Sequence, residues 1–171
     1  FKGGTRYYAL GFGIDNYGYV GTGYNDNYLK DFYRFDPTAA AGSQWTIVNG
    51  FGGQKRQGGT AFVIDGKAYV CGGQNNNSDV SDFWCFDPSA ATPWTQLRDI
   101  ANTSDDDYDD DYTSIVRSYG VSFVIDGKAY LTLGSTAGGS YYSNYWIYDP
   151  ATDLWEGDDL TAFEGSTRLH A

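Results

Sequence analysis

The chain repeats itself about every fifty residues, and a period of that length restricts the architecture sharply, because no single unit can bury its apolar face alone. The strings Thr60-Ala-Phe-Val-Ile-Asp-Gly-Lys-Ala-Tyr69 and Val121-Ser-Phe-Val-Ile-Asp-Gly-Lys-Ala-Tyr130 nearly coincide, and Leu10-Gly-Phe-Gly-Ile-Asp-Asn-Tyr-Gly-Tyr19 is a weaker copy. Phe35-Asp36-Pro37, Phe86-Asp87-Pro88 and Tyr148-Asp149-Pro150 follow at matching phase, and Trp45, Trp94 and Trp155 come after them. An arginine opens each unit at Arg6, Arg56 and Arg117, with Arg168 opening a fourth; the intervals are 50, 61 and 51 residues. The long interval holds an insertion around Ser104–Tyr112.

Each unit reads as four short strands. Asp65-Gly66 and Asp126-Gly127 sit between apolar runs, and Asp-Gly is a strong signal for a two-residue hairpin turn because both central residues accept positive φ. A third strand follows at Asp82-Phe-Trp-Cys-Phe86, stopped by Asp-Pro because proline gives the ladder no donor and restricts the residue before it. A fourth lies at Trp94-Thr-Gln-Leu97. Sixteen Tyr, ten Phe and five Trp beside 23 Gly and only four Pro suit such aromatic strands and tight turns. The expected fold is all-β: four-stranded antiparallel blades, the unit of a β-propeller.

In its arginine, apolar strand, Tyr69-Val-Cys-Gly-Gly73 element, aromatic-Asp-Pro and tryptophan, the sequence resembles the kelch family over almost its whole length. The double glycine is intact once; Gly21-Thr22-Gly23 and Leu133-Gly134 depart from it, which raises the question of how those strand ends pack. The resemblance implies three kelch-type blades of a larger ring, six- or seven-bladed: blade one at about 6–50, blade two at 56–100, an acidic insertion at 102–113, blade three at 117–162 and the start of a fourth at 163–171. Three blades alone would leave two aromatic faces in water. Further blades are expected from a longer protein, in preference to a second copy closing a six-bladed ring. The absence of methionine, even at Phe1, suggests a trimmed product whose targeting segment is out of view.

The formal charge of −11 argues against nucleic acid and anionic membrane as partners, since phosphate binding rests on Lys and Arg. No apolar run reaches the length of a membrane-spanning helix. Acidity, low Lys content and abundant Asn, Tyr and Gly suit an extracellular or cell-envelope protein. Cys71 and Cys85, on neighbouring strands, are read either as a disulfide or as two small buried thiols.

Function is expected on the edge carrying the long loops, opposite the Asp-Gly and Asp-Pro turns. Tyr24, Asn25 and Tyr28, then Asn75 and Asn76, then Tyr141 and Tyr142 offer stacking surfaces and amides for a glycan or protein ligand. The same residue types are also ordinary turn formers. Arg6, Arg56, Arg117 and Arg168 should form an arc on that edge. Such an arc suits carboxylate binding, but an arginine present in every repeat is also what an architectural tie between neighbouring blades would require. In the insertion, Asp105, Asp107 and Asp109 have the alternate spacing of calcium ligands without the glycine and glutamate of an EF-hand loop; a solvated acidic loop is the competing reading.

Two enzyme groups share the resemblance: galactose-oxidase-like copper enzymes and sialic-acid mutarotases. Copper would need two imidazoles, and the chain has one histidine, His170. Mutarotation would need an acid and base that no residue here announces. The favoured reading is a non-enzymatic binding module without an essential cofactor, with a carbohydrate-active enzyme completed by other blades, or a structural subunit of a cell-surface assembly, as alternatives.

Overall fold

A computed structural model describes residues 1–100, 114–157 and 164–169. They form three four-stranded antiparallel sheets, each a meander from hub to rim. The first comprises β1 (Leu10–Ile14), β2 (Tyr17–Gly21), β3 (Phe32–Phe35) and β4 (Trp45–Val48). The second comprises β5 (Thr60–Ile64), β6 (Lys67–Cys71), β9 (Phe83–Phe86) and β10 (Trp94–Gln96), with β7 (Gln74–Asn75) and β8 (Ser78–Asp79) forming a small hairpin in its long loop. The third comprises β11 (Val121–Ile125), β12 (Lys128–Thr132), β13 (Tyr145–Asp149) and β14 (Leu154–Gly157).

The local signals work as expected. Asp65 and Gly66 take φ of 48° and 74°, and Asp126 and Gly127 take 50° and 76°, so both turns have positive φ at both central residues. Each Asp-Pro aspartate caps its turn: Asp36, Asp87 and Asp149 accept backbone N–H bonds from Thr38, Ser89 and Ala151, each at 2.9 Å. Side-chain bonds from Thr38, Ser89 and Lys128, reinforced by those backbone donors, hold the three carboxyls below their ordinary range.

The hydrophobic core lies between blades. First strands β1, β5 and β11 touch in sequence at the hub. On each hairpin a Phe and a Tyr stack across the ladder and face the following blade. Phe12 and Tyr19, with ring centres 5.1 Å apart, meet Phe86 of blade two, which packs against Trp94. Phe62 and Tyr69, at 5.4 Å, meet Tyr148 and Trp155 of blade three. Phe123 and Tyr130 stack in the same way at 5.4 Å, but Phe123 is 47% exposed and Ile125 51%. At the other end, Phe1 covers part of blade one's Tyr33 and Trp45 while Ile47 stays open. This is a partial propeller with an uncovered blade face at each end.

Successive blades are also joined by backbone bonds. Gly23 donates to the Arg56 carbonyl, Gly73 to that of Arg117 (both 2.8 Å), and Gly134 to that of Arg168 (3.3 Å). The broken double glycine is thereby explained. Only its second position is invariant, since a Cβ on Gly73 would lie 2.7 Å from the Gln57 carbonyl oxygen. Thr22 and Leu133 take the first position at φ of 56° and 58°.

Cys71 and Cys85 are free thiols. Cys71 pairs with Phe83 and Cys85 with Tyr69, so they share a face two residues out of register, a diagonal spacing too long for a disulfide. Burial pushes the Cys71 thiol up to about 12.

Replacing Gly73 by Ala should lower stability by about 2 kcal/mol or more, through positive-φ strain and the backbone clash. Gly42→Ala, at φ 87° with open space around it, should cost only about 1 kcal/mol. Equilibrium urea unfolding of the two variants side by side checks the difference.

Candidate functional site

The marker arginines hold the loop edge together from within. In each blade the guanidinium reaches the carbonyl just past the second strand and the side chain just before the third. Arg6 donates to the Thr22 carbonyl at 3.0 Å and to both Asp31 carboxylate oxygens, at 2.6 and 3.0 Å. Arg56 donates to the Gly72 carbonyl at 3.1 Å and pairs with Asp82. Arg117 donates to the Leu133 carbonyl at 2.9 Å and to Asn144 Oδ1 at 3.0 Å. Each Nε also donates two residues back along the chain, to Gly4, Gln54 and Ile115; Arg168 does the same to Ser166.

Arg56 and Arg117 are 0% exposed. This corrects the expected ligand-facing arc for these two residues, because their donors are directed at acceptors inside their own blades and no face is open to solvent. The described side-chain bonds of Arg6, Arg56 and Arg117 stay within their own blades, and the arginine backbone carbonyls accept from the preceding blade. Arg6 is nearly enclosed, and Arg168 is exposed.

Blade three differs electrically. Asp31 and Asp82 neutralise their arginines, but Asn144 only hydrogen-bonds to Arg117. Burial then pushes the Arg117 guanidinium down to about 10. The Tyr142 ring lies under it at 4.6 Å, a cation–π contact. In blade one burial pushes the Asp31 carboxyl up, but the hydrogen bonds and charge of Arg6 outweigh that and leave it lowered.

Above this framework, five tyrosines form an unbroken chain. Tyr28 and Tyr24 have ring centres 5.0 Å apart, Tyr24 and Tyr7 5.4 Å, Tyr7 and Tyr8 4.8 Å, and Tyr8 and Tyr119 5.1 Å. The chain crosses from the long loop of blade one to the start of blade three. Tyr119 is fixed by bonds to its hydroxyl from Gln57 Nε2 at 2.9 Å and Gln74 Nε2 at 2.7 Å. Gly58, between them, has to be glycine: a Cβ there would lie 2.3 Å from the Tyr119 ring. Tyr7 is 53% exposed, and its phenol is pushed up by desolvation first and then by Tyr24 and Asp26, so it stays a hydrogen-bond donor.

Two shallow clefts flank this chain. One, of about 270 Å³, is lined by Tyr24, Asp26, Asn27, Tyr28, Lys55, Asn75 and Asn76. The other, of about 410 Å³, is lined by Thr5, Arg6, Tyr7, Tyr24, Asn25 and Asp26. The structure thus brings together Tyr24, Asn25, Tyr28, Asn75 and Asn76, all expected from the sequence. Tyr141 and Tyr142 stand apart on blade three's loop, Tyr141 exposed and Tyr142 against Arg117. Asp105, Asp107, Asp109 and His170 lie outside the described residues, and among the described residues no cluster of three His, Cys, Asp or Glu side chains could hold a metal. The sequence reading missed Tyr7, Tyr8, Tyr119 and Lys55. Extending the repeat two positions past each arginine, to Tyr8, Gly58 and Tyr119, would have found most of them.

An all-β ring segment with clamped arginines, a glycine shortly after each second strand and a stacked aromatic seam defines the class: a β-propeller built of kelch-type blades. The kelch motif matches residues 55–97. It is 28% identical to an N-acetylneuraminate epimerase of Yersinia pestis (strain Pestoides F), over 97% of this chain and 47% of that protein. A second relative, an N-acetylneuraminate epimerase of Shigella sonnei (strain Ss046), is 31% identical over 60% of this chain and 26% of its own length. A solved structure titled as that of YjhT superposes with a TM-score of 0.74 at 19% identity, covering 98% of this chain and 55% of the other. The chain spans about half the length of the curated relatives it matches.

Asn144→Asp should raise stability by about 1 kcal/mol at neutral pH, since the desolvation of Arg117 is already met and the added carboxylate neutralises it. The new carboxyl would be lowered in the folded state. Its contribution is therefore full above the unfolded value of about 3.9 and lost as pH falls through the folded one. Thermal unfolding at pH 7 and at pH 3 checks both parts.

Proposed function

We propose that the chain is a binding module of a kelch propeller that holds a glycan on the tyrosine chain at its loop edge. The observation that carries this reading is the continuous row Tyr28, Tyr24, Tyr7, Tyr8 and Tyr119 beside clefts lined by amides, a carboxylate and an amine. Aromatic rings give sugar C–H faces an apolar surface, while Asn75, Asn76, Asp26 and Lys55 supply convergent donors and acceptors for hydroxyls. N-acetylneuraminate, in the name of the epimerases it resembles, supports a sugar ligand and is the first one to try.

A second reading has one specific support, the name of those relatives: the tyrosine edge is part of the pocket of an epimerase acting on N-acetylneuraminate, completed by residues of other blades. In both readings the sugar lies on the same tyrosines. They differ in whether bound sugar is converted.

Titration with N-acetylneuraminate and a panel of neutral sugars, followed by two-dimensional NMR, tests the binding. Tyr24→Ala should weaken it about thirtyfold, the loss of one aromatic anchor worth about 2 kcal/mol. Tyr141→Ala, away from the chain, should leave it unchanged. Absence of saturable binding across the panel, or an unaffected Tyr24→Ala variant, would contradict the reading.

A further inference from the structure

The two clefts of the loop edge share a wall. Tyr24 and Asp26 line both of them, so the clefts adjoin across one aromatic residue and one carboxylate. Local structure makes that wall stiff. Tyr24 exchanges backbone bonds with Tyr7, at 3.0 and 3.1 Å, and pairs with Tyr28 on its other side. The turn between Tyr24 and Tyr28 is closed by a bond from the Asn25 N–H to the Asn27 carbonyl at 3.1 Å, with Asp26 at φ 71°. Asp tolerates that left-handed conformation better than a bulkier residue would, so an acidic group can stand at the tip of so short a turn.

The two sides of the wall carry different groups. Toward blade two stand the exposed Lys55 and the amides of Asn75 and Asn76. Toward the start of blade one stand the hydroxyls of Thr5 and Tyr7 and the amide of Asn25. Arg6 lines that side too, but its guanidinium already donates to Thr22 and Asp31.

Size and shape favour a ligand that uses both sides. At about 270 and 410 Å³, each cleft lies toward or below the lower end of small-molecule sites, which run roughly 300–1,000 Å³. One pyranose ring beside Tyr24 fills one side and leaves the polar groups of the other in water. Two linked rings, one on each side, engage both sets. The second ring is then held at the high effective concentration that the glycosidic link imposes. Tyr8, in contact with Tyr7, continues the aromatic surface beyond it.

We infer, on the glycan reading above, that the ligand class is an oligosaccharide in preference to a free monosaccharide. Consecutive sugar units occupy the Lys55 cleft and the Tyr7 cleft, and Tyr24 with Asp26 forms the boundary between the two subsites.

The test compares single sugars with linked forms by calorimetric titration and two-dimensional NMR: N-acetylneuraminate with sialyllactose, N-acetylglucosamine with chitobiose, and glucose with cellobiose. The side-chain amides of Asn75 and Asn76 report one cleft, and the Thr5 methyl and Asn25 amide report the other. In at least one set the linked sugar should bind about tenfold tighter or more and shift both groups of signals, while its single sugar shifts one group. Lys55→Ala and Tyr7→Ala, on opposite sides of the wall, should each weaken the linked sugar about tenfold. The single sugar should respond to only one of them. Thr5→Ala is the second variant should loss of the Tyr7 ring unsettle the loop. Equal affinity for single and linked forms in every set that binds, or linked-sugar shifts confined to one cleft, would overturn the two-subsite inference and leave the glycan reading standing. No saturable binding by any of the sugars would overturn both.

Discussion

The buried guanidinium at the start of each blade is the interaction on which the rest of the fold depends. A four-stranded meander leaves its loop edge with unpaired carbonyls where the chain exits the second strand and enters the third. One planar, multiply donating side chain satisfies several of these groups at once, which a lysine ammonium on a flexible stem cannot do with the same geometry. Because Arg56 sits at 0% exposure against Asp82 and the Gly72 carbonyl, it sets the distance between strand ends. Its own backbone carbonyl then accepts from Gly23 of the preceding blade, so a tie within one blade also sets the spacing between two.

Burial between blades follows from that spacing. Each stacked Phe–Tyr pair is oriented to meet the third- and fourth-strand aromatics of the next blade, and burying one such ring contributes on the order of 1.5–3 kcal/mol. The seam formed by Phe12 and Tyr19 against Phe86 and the seam formed by Phe62 and Tyr69 against Tyr148 are the same interface used twice. The Phe123–Tyr130 pair repeats the same stack on a face that is open in this chain. The same rigid seams carry the tyrosine chain on the loop edge.

Much of the fold was legible because its signals are local. Asp-Gly dictates a hairpin, Asp-Pro ends a strand, and a fifty-residue recurrence dictates stacked units, so blades and strands could be placed from the sequence. The tyrosine chain was only half legible. Tyr24 and Tyr28 stand out in a polar loop; Tyr7 and Tyr8 join them within blade one, and Tyr119 joins only through a contact between blades. For the arginines the sequence left a ligand arc and an architectural tie both open, because recurrence shows that a residue matters without showing where its side chain ends.

Equilibrium urea unfolding of Arg56→Lys, measured beside N-acetylneuraminate binding, tests the central claim most directly. If the arginine is the clamp, lysine keeps the charge but loses the branched geometry, and stability falls by about 1–3 kcal/mol as buried carbonyls lose their donors. Unchanged stability together with lost sugar binding would contradict the account and return the arginines to the ligand site.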